Sequence, residues 1–168
     1  MRIRTTQRLL FVAFLVQEGI VFLPASPEER ANAPLPPAPA VFGVSLLAPL
    51  VLKSFVPRWL ERMALLLQVL GWSLEIAGMA QLARKQSFGI HPTAATELSR
   101  DGVYRFEHPI YLGLLLTIAG WTLPVPPCLA AVVLAYMGFR RAVRLERAHL
   151  ASLQAQHRGL ESFLWAEE

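Results

Sequence analysis

Apolar and polar positions alternate in long blocks along this chain, and the blocks are too long for an ordinary soluble core. The run Leu9–Val16 resumes after Gln17-Glu18 at Gly19–Leu23, which predicts a first helix over about residues 8–24. A proline-rich connector follows. Six of the thirteen prolines fall between residues 24 and 39, and a residue without an amide donor favours extended chain. A second apolar block, about residues 40–55, carries Pro49 and predicts a short, kinked or tilted helix. The third is the clearest. Over the 21 residues from Met63 to Ala83 the only ionisable side chain is Glu75, so the helix predicted over about 60–84 can cross a hydrocarbon core of about 30 Å.

Residues 84–108 are polar and turn-rich. Beyond them, Pro109–Phe139 is 31 residues without a charged side chain, broken only by Pro124-Val125-Pro126-Pro127. This pattern predicts a helix–turn–helix hairpin, about 109–123 and 127–157, whose second arm continues through Arg140, Arg141, Arg144 and Arg147. The expected fold is therefore all-α: one membrane domain over 1–168, an integral bundle of about five transmembrane helices ending in a cytoplasmic C-terminal helix.

Composition agrees with this pattern. Charged residues make up 17% of the chain, against roughly 25% in soluble domains, and 54% are hydrophobic. The net charge of +4 is held in blocks between apolar runs, which suits anionic lipid surfaces and offers nucleic acid no continuous basic face. The basic N-tail before an apolar run resembles a signal peptide. However, the A-x-A-like site Ala31-Asn32-Ala33 is followed by Pro34, which disfavours cleavage, so the first helix is expected to be retained. Five crossings would leave ten Lys and Arg on the side of the 84–108 loop and the C-terminus, against six on the other. The excess assigns the first side to the cytoplasm, across a membrane of the bacterial inner type.

Gly71, Glu75 and Gly78 share one helical face, so Glu75 is expected to point into the bundle where a second helix approaches closely. Glu18 is a similar, weaker case. The Phe and Trp residues are expected mostly at lipid or at the interface. With one cysteine, Cys128, and no clustering of His91, His149 and His157, no metal site is expected.

The polar side chains that could carry chemistry concentrate in Asp101-Gly102-Val103-Tyr104-Arg105-Phe106-Glu107-His108-Pro109-Ile110-Tyr111-Leu112-Gly113. His108-Pro109 fits a helix start, because proline's missing N–H would be unpaired there anyway. The bland alternative for His108 is an interfacial cap, and for Arg140, Arg141, Arg144 and Arg147 a lipid anchor.

This stretch resembles the G-P-Y-R-x-x-R-H-P-x-Y-x-G signature of the isoprenylcysteine carboxyl methyltransferase and phospholipid methyltransferase family of membrane enzymes. The similarity continues upstream over Gly71–Ser73 and Gln81–Phe88, and downstream over Arg144-Leu145-Glu146-Arg147-Ala148-His149-Leu150, covering about residues 63–150. The resemblance implies S-adenosylmethionine as cofactor and a lipid-like acceptor reached from the membrane, most simply a carboxylate. It also implies cofactor contacts from Gly102, Tyr104, Arg105, His108, Pro109, Tyr111, Gly113 and Glu146. In these roles Arg105 and His108 would hold the cofactor carboxylate, Glu146 would accept from ribose hydroxyls or the ammonium, and the glycines would clear space. An amine acceptor would need a base, and Glu146 or His108 could serve. The chain departs from the signature at Val103, Glu107 and Arg147. The last two reverse the family's charges and are expected to form a swapped ion pair. A nicotinamide-dependent membrane reductase of the sterol-reductase type, and a non-catalytic protein on the same scaffold, are the alternative functions.

Overall fold

The computed structural model describes residues 3–22, 36–84, 102–105 and 108–152, with side chains left aside at 21–22, 84, 105 and 145–152. Among these residues the chain is all-helical. Five α-helices follow in order: α1 (Ile3–Phe22), α2 (Pro39–Leu47), α3 (Arg58–Arg84), α4 (Pro109–Thr122) and α5 (Ala130–Ser152), with single 3-10 turns at Ala48–Leu50, Gly102–Arg105 and Pro126–Leu129. The hairpin α4–α5 and the long α3 fall close to where the pattern of apolar blocks puts them. The expected extension of the last helix to residue 157 lies partly outside the described residues.

Two boundaries differ from expectation. α1 begins at Ile3, taking Arg4 and Arg8 into the helix. Their guanidiniums reach carbonyls far along the chain, Arg4 Nη2 donating to Pro49 O at 2.9 Å and Arg8 Nη2 to Leu52 O at 3.2 Å. α2 stops at Leu47, well short of residue 55. Pro49 cannot continue the α-helical hydrogen bonding, so the chain tightens into a 3-10 turn in which Val51 N donates to Ala48 O at 3.1 Å.

Helices α3 and α4 pack through glycine. A Cβ placed on Gly71 would lie 2.5 Å from Thr117 N and 2.6 Å from Gly113 O. One placed on Gly113 would lie 2.7 Å from Gly71 O and 2.8 Å from Glu75 N. Gly120 meets Ala64 O and Gln68 N in the same way. The two backbones therefore touch along three successive turns, as small residues permit between membrane helices. α1 closes over this pair with Gln7, Phe11 and Phe14 facing inward. α5 returns against α2 and α4 around Leu115, Ile118, Ala131, Ala135 and Phe139.

The first end of the bundle is tied by long-range bonds. Phe55 N donates to Pro124 O at 2.9 Å, Gln7 Nε2 to Gly120 O at 3.3 Å, and Trp121 Nε1 to Leu46 O at 2.7 Å. The start of α1, the turn after α2 and the α4–α5 turn thus share one end. Residues 102–105, the start of α4 and Arg140–Arg144 share the other. This is the alternation that five antiparallel passes require.

The core is mostly apolar but holds several polar side chains, and many large apolar side chains are exposed. Facing outward are Leu9, Val12, Val16 and Ile20 of α1, Met63, Leu66 and Leu70 of α3, and Val133 and Met137 of α5. Facing inward are Gln7, Gln68, Glu75, Thr117 and Thr122, with Glu75 only 1% exposed. The inward placement of Glu75 agrees with the shared glycine face. Trp121 corrects the expectation for the aromatic residues: it is fully buried, stacked on Phe11 at 4.2 Å, with Arg4 over the ring. Phe55 and Trp59 are exposed, as expected. Among the described residues one helical stretch, Arg58–Ala83, is long and apolar enough to cross a membrane, while Pro39–Leu50 and Pro109–Thr122 are apolar but shorter.

Candidate functional site

The start of α4 has an unusual backbone. His108 is its N-cap, with φ 53° and ψ 52°, the sole non-glycine residue with positive φ among those described. Pro109 follows at the first helical position, as the His-Pro sequence suggests. A left-handed non-glycine residue costs on the order of 1–2 kcal/mol, and such strain collects at functional sites. The His108 side chain makes no capping hydrogen bond, while its carbonyl accepts from Leu112 N at 3.2 Å. Its ring instead stacks on Tyr111 with centroids 5.6 Å apart, and Tyr111 stacks on Phe139 of α5 at 5.1 Å. The three rings form an aromatic column joining the start of α4 to α5.

A second group of contacts holds the 102–105 turn. Tyr104 Oη donates to Gly78 O at 3.4 Å, and Val103 N donates to Gln81 Oε1 at 3.2 Å. Gly102, at φ +58°, brings its backbone against the Gln81 side chain. The end of α3, the turn and the start of α4 therefore meet at one end of the bundle, and Phe139 brings α5 to the same place.

Of the site residues expected from the sequence, Gly102, Tyr104, His108, Pro109 and Tyr111 are gathered here. Gly113 lies one turn deeper, and a Cβ there would meet the α3 backbone at Gly71 and Glu75, so its glycine serves helix packing. Arg105 has its backbone in the 3-10 turn and Glu146 its backbone on α5, but both side chains lie outside the described residues. So does the expected Glu107–Arg147 pair, along with residues 85–101. Arg140, Arg141 and Arg144 are exposed, and Arg140 lies 5.9 Å over the Tyr136 ring.

Sequence reasoning missed Phe139 and Gln81, which look like generic bundle residues until the fold brings α5 and α3 to the motif. It also missed that Gln17, between the two apolar runs of α1, bonds Glu75 across the α1–α3 interface. Gln17 Nε2 donates to Glu75 Oε1 at 2.7 Å, and Trp72 Nε1 donates to Gln17 Oε1 at 2.7 Å. Comparison with protein-family models, with curated proteins and with solved structures returns no match for this chain.

Proposed function

We propose that this chain is an integral membrane enzyme that transfers a methyl group from S-adenosylmethionine to a membrane-embedded, lipid-like acceptor, most simply a carboxylate. The membrane part rests on the outward apolar faces and on the long apolar span of α3, because apolar faces turned outward over buried Gln, Glu and Thr suit lipid as solvent. One observation carries the enzymatic part. The Gly102–Arg105 turn and the start of α4, two residues apart in sequence, both meet α3 at Gly78, beside a left-handed His108 whose ring stacks in a column with Tyr111 and Phe139.

That column fits the cofactor's chemistry. Aromatic faces attract a cation held over them, and the sulfonium of S-adenosylmethionine is one. The cofactor supplies an electrophilic methyl group. The chain's own residues have the tasks of orientation and water exclusion: Tyr111 and Phe139 form an apolar wall, the His108 ring lies beside it, and Gly102 and Tyr104 fix the turn. A carboxylate acceptor is already ionised near neutral pH, so alignment in a dry site supplies most of the acceleration.

Calorimetry on the purified protein in lipid nanodiscs tests the assignment. S-adenosylmethionine should bind, and His108→Ala and Glu146→Gln should each weaken binding by roughly 1–3 kcal/mol, the worth of one charged hydrogen bond. Wild-type protein that binds NADPH would move the chain to the reductase reading. Protein that binds neither cofactor would leave the non-catalytic one.

The end bearing residues 102–108 and Arg140–Arg144 is assigned to the cytoplasm, where the basic residues are in excess. In a Cys128→Ser background, a cysteine at the exposed position Lys53 should react with an impermeant maleimide added to intact cells. One at the exposed position Arg144 should react only after permeabilisation. The opposite labelling pattern means the opposite orientation.

A further inference from the structure

The first end of the bundle carries an unbalanced positive charge. Among the described residues of this end there are five cations, Arg4, Arg8, Lys53, Arg58 and Arg62, and one acid, Glu61. Arg4 and Arg8 donate to the carbonyls of Pro49 and Leu52, which satisfy N–H groups but neutralise no charge. The second bond also sets the Arg8 guanidinium at the residue before Lys53. Arg58 and Arg62 stand four positions apart at the start of α3, so they are neighbours on its surface. Like charges at that spacing repel, and the macrodipole of α3 is positive at the same end. Neither interaction within the helix favours two cations there, and Lys53, Arg58 and Arg62 are all exposed.

The same stretch exposes large apolar side chains. Val51 is 80%, Phe55 70% and Trp59 63% exposed. The backbone that presents them is held in place. Phe55 N donates to Pro124 O of the α4–α5 turn at 2.9 Å, and Pro57 O accepts from Leu60 N and Glu61 N where α3 begins. Apolar and basic side chains therefore interleave from Val51 to Arg62 on a fixed path across the end of the bundle. A headgroup layer accommodates that mixture, since aromatic and aliphatic side chains reach the acyl boundary while cations stay among the phosphates. A zwitterionic headgroup brings its own ammonium to the surface. A surplus of cations therefore selects lipids of net negative charge.

We propose that residues 51–62 form an interfacial anchor that binds anionic phospholipid, with Arg8, Lys53, Arg58 and Arg62 at the headgroup phosphates and Phe55 and Trp59 at the acyl boundary. The anchor lies at the end of the bundle opposite the Gly102–Arg105 turn and His108. It fixes the depth of α3 in the bilayer by holding the start of that helix at headgroup level. The proposal rests on the membrane reading and is independent of methyl transfer.

Fluorescence quenching of the full chain in lipid nanodiscs tests it without any cofactor. Brominated acyl chains quench a tryptophan they touch, and the part of the emission missing from Trp59→Phe reports this site. At equal mole fraction in phosphatidylcholine, brominated phosphatidylglycerol should quench that part several-fold more than brominated phosphatidylcholine. Lys53→Gln, Arg58→Gln and Arg62→Gln combined should bring the two lipids to equal effect. Arg58→Lys with Arg62→Lys should keep the preference. The substituted side chains are exposed, so the melting temperature should not move. Equal quenching by the two lipids in the wild type overturns the anchor and leaves the membrane reading standing. A preference that survives the triple glutamine variant also overturns it. No quenching by either lipid does so as well, because the face is then covered by a second copy of the chain or lies outside the bilayer. Loss of the preference to free glycerol phosphate at constant ionic strength would assign the cations to a soluble phosphate and overturn the lipid assignment.

Discussion

Gly71→Ala, Gly113→Ala and Gly120→Ala are each expected to destabilise the bundle by about 3 kcal/mol, the upper end of the usual cost of overpacking. The reason is what the new methyl group would meet. At Gly71 and Gly113 the nearest atoms are backbone nitrogen and oxygen of the facing helix, 2.5–2.8 Å away, and at Gly120 they are again backbone. A side-chain end can rotate out of the way, but a helix backbone moves only as a body. Inserting the methyl groups therefore separates α3 from α4 and loosens the turns on either side. Gly19 and Gly43 provide the contrast. Both lie inside helices, and a Cβ at either has no neighbour within 4 Å. Alanine there should leave stability unchanged or raise it by about 0.5 kcal/mol, because glycine is the poorer helix former. Thermal unfolding in detergent, followed by intrinsic fluorescence, separates the two groups. If seam and control variants melt together, the close α3–α4 contact is wrong.

The same seam shows how far the sequence could be read. Gly71, Glu75 and Gly78 share a face by spacing alone, and that spacing correctly turns Glu75 inward. Spacing does not name the partner. Gly113 belongs to the motif that resembles a cofactor site, yet its neighbour is Glu75 of α3, and only the pairing of helices reveals it. The start of α1 is illegible for a related reason. Arg4 and Arg8 look like residues excluded from an apolar helix. They are accommodated because carbonyls exposed by the Pro49 turn accept from them, and those partners stand more than forty positions away. Gln17 and Glu75 are 58 positions apart, and no local pattern joins them. By contrast, Pro109 after His108 fixes the start of α4 through the chemistry of one residue, and that boundary is legible.

Trp121→Ala should be as damaging as the glycine changes, at about 3 kcal/mol or more, and for a different reason. The indole joins three helices at the first end of the bundle. Its ring lies flat on Phe11 of α1, 4.2 Å between centroids and 5° between planes, with the Arg4 guanidinium 5.5 Å from the ring. Its N–H reaches back to Leu46 O of α2 at 2.7 Å. Under the proposed membrane placement the loss of apolar burial itself contributes little, since the unfolded helices would already be in an apolar solvent. The cost comes from the dispersion attraction that a fully buried ring makes with its surroundings, from the loss of the indole donor to Leu46 O, and from the loss of the Arg4–ring contact. Trp121→Phe separates these contributions. It keeps a ring for Phe11 and Arg4 and removes the bond to Leu46, so it should cost about 1 kcal/mol, the net worth of one hydrogen bond. Phe11→Leu should weaken the stack from the other side, and combined with Trp121→Ala it should add little, since the partner ring is already gone. A double-mutant cycle on thermal stability measures that coupling. Full additivity would show that the stacked pair contributes nothing to the position of α1, which its arginines and Gln7 then hold at this end.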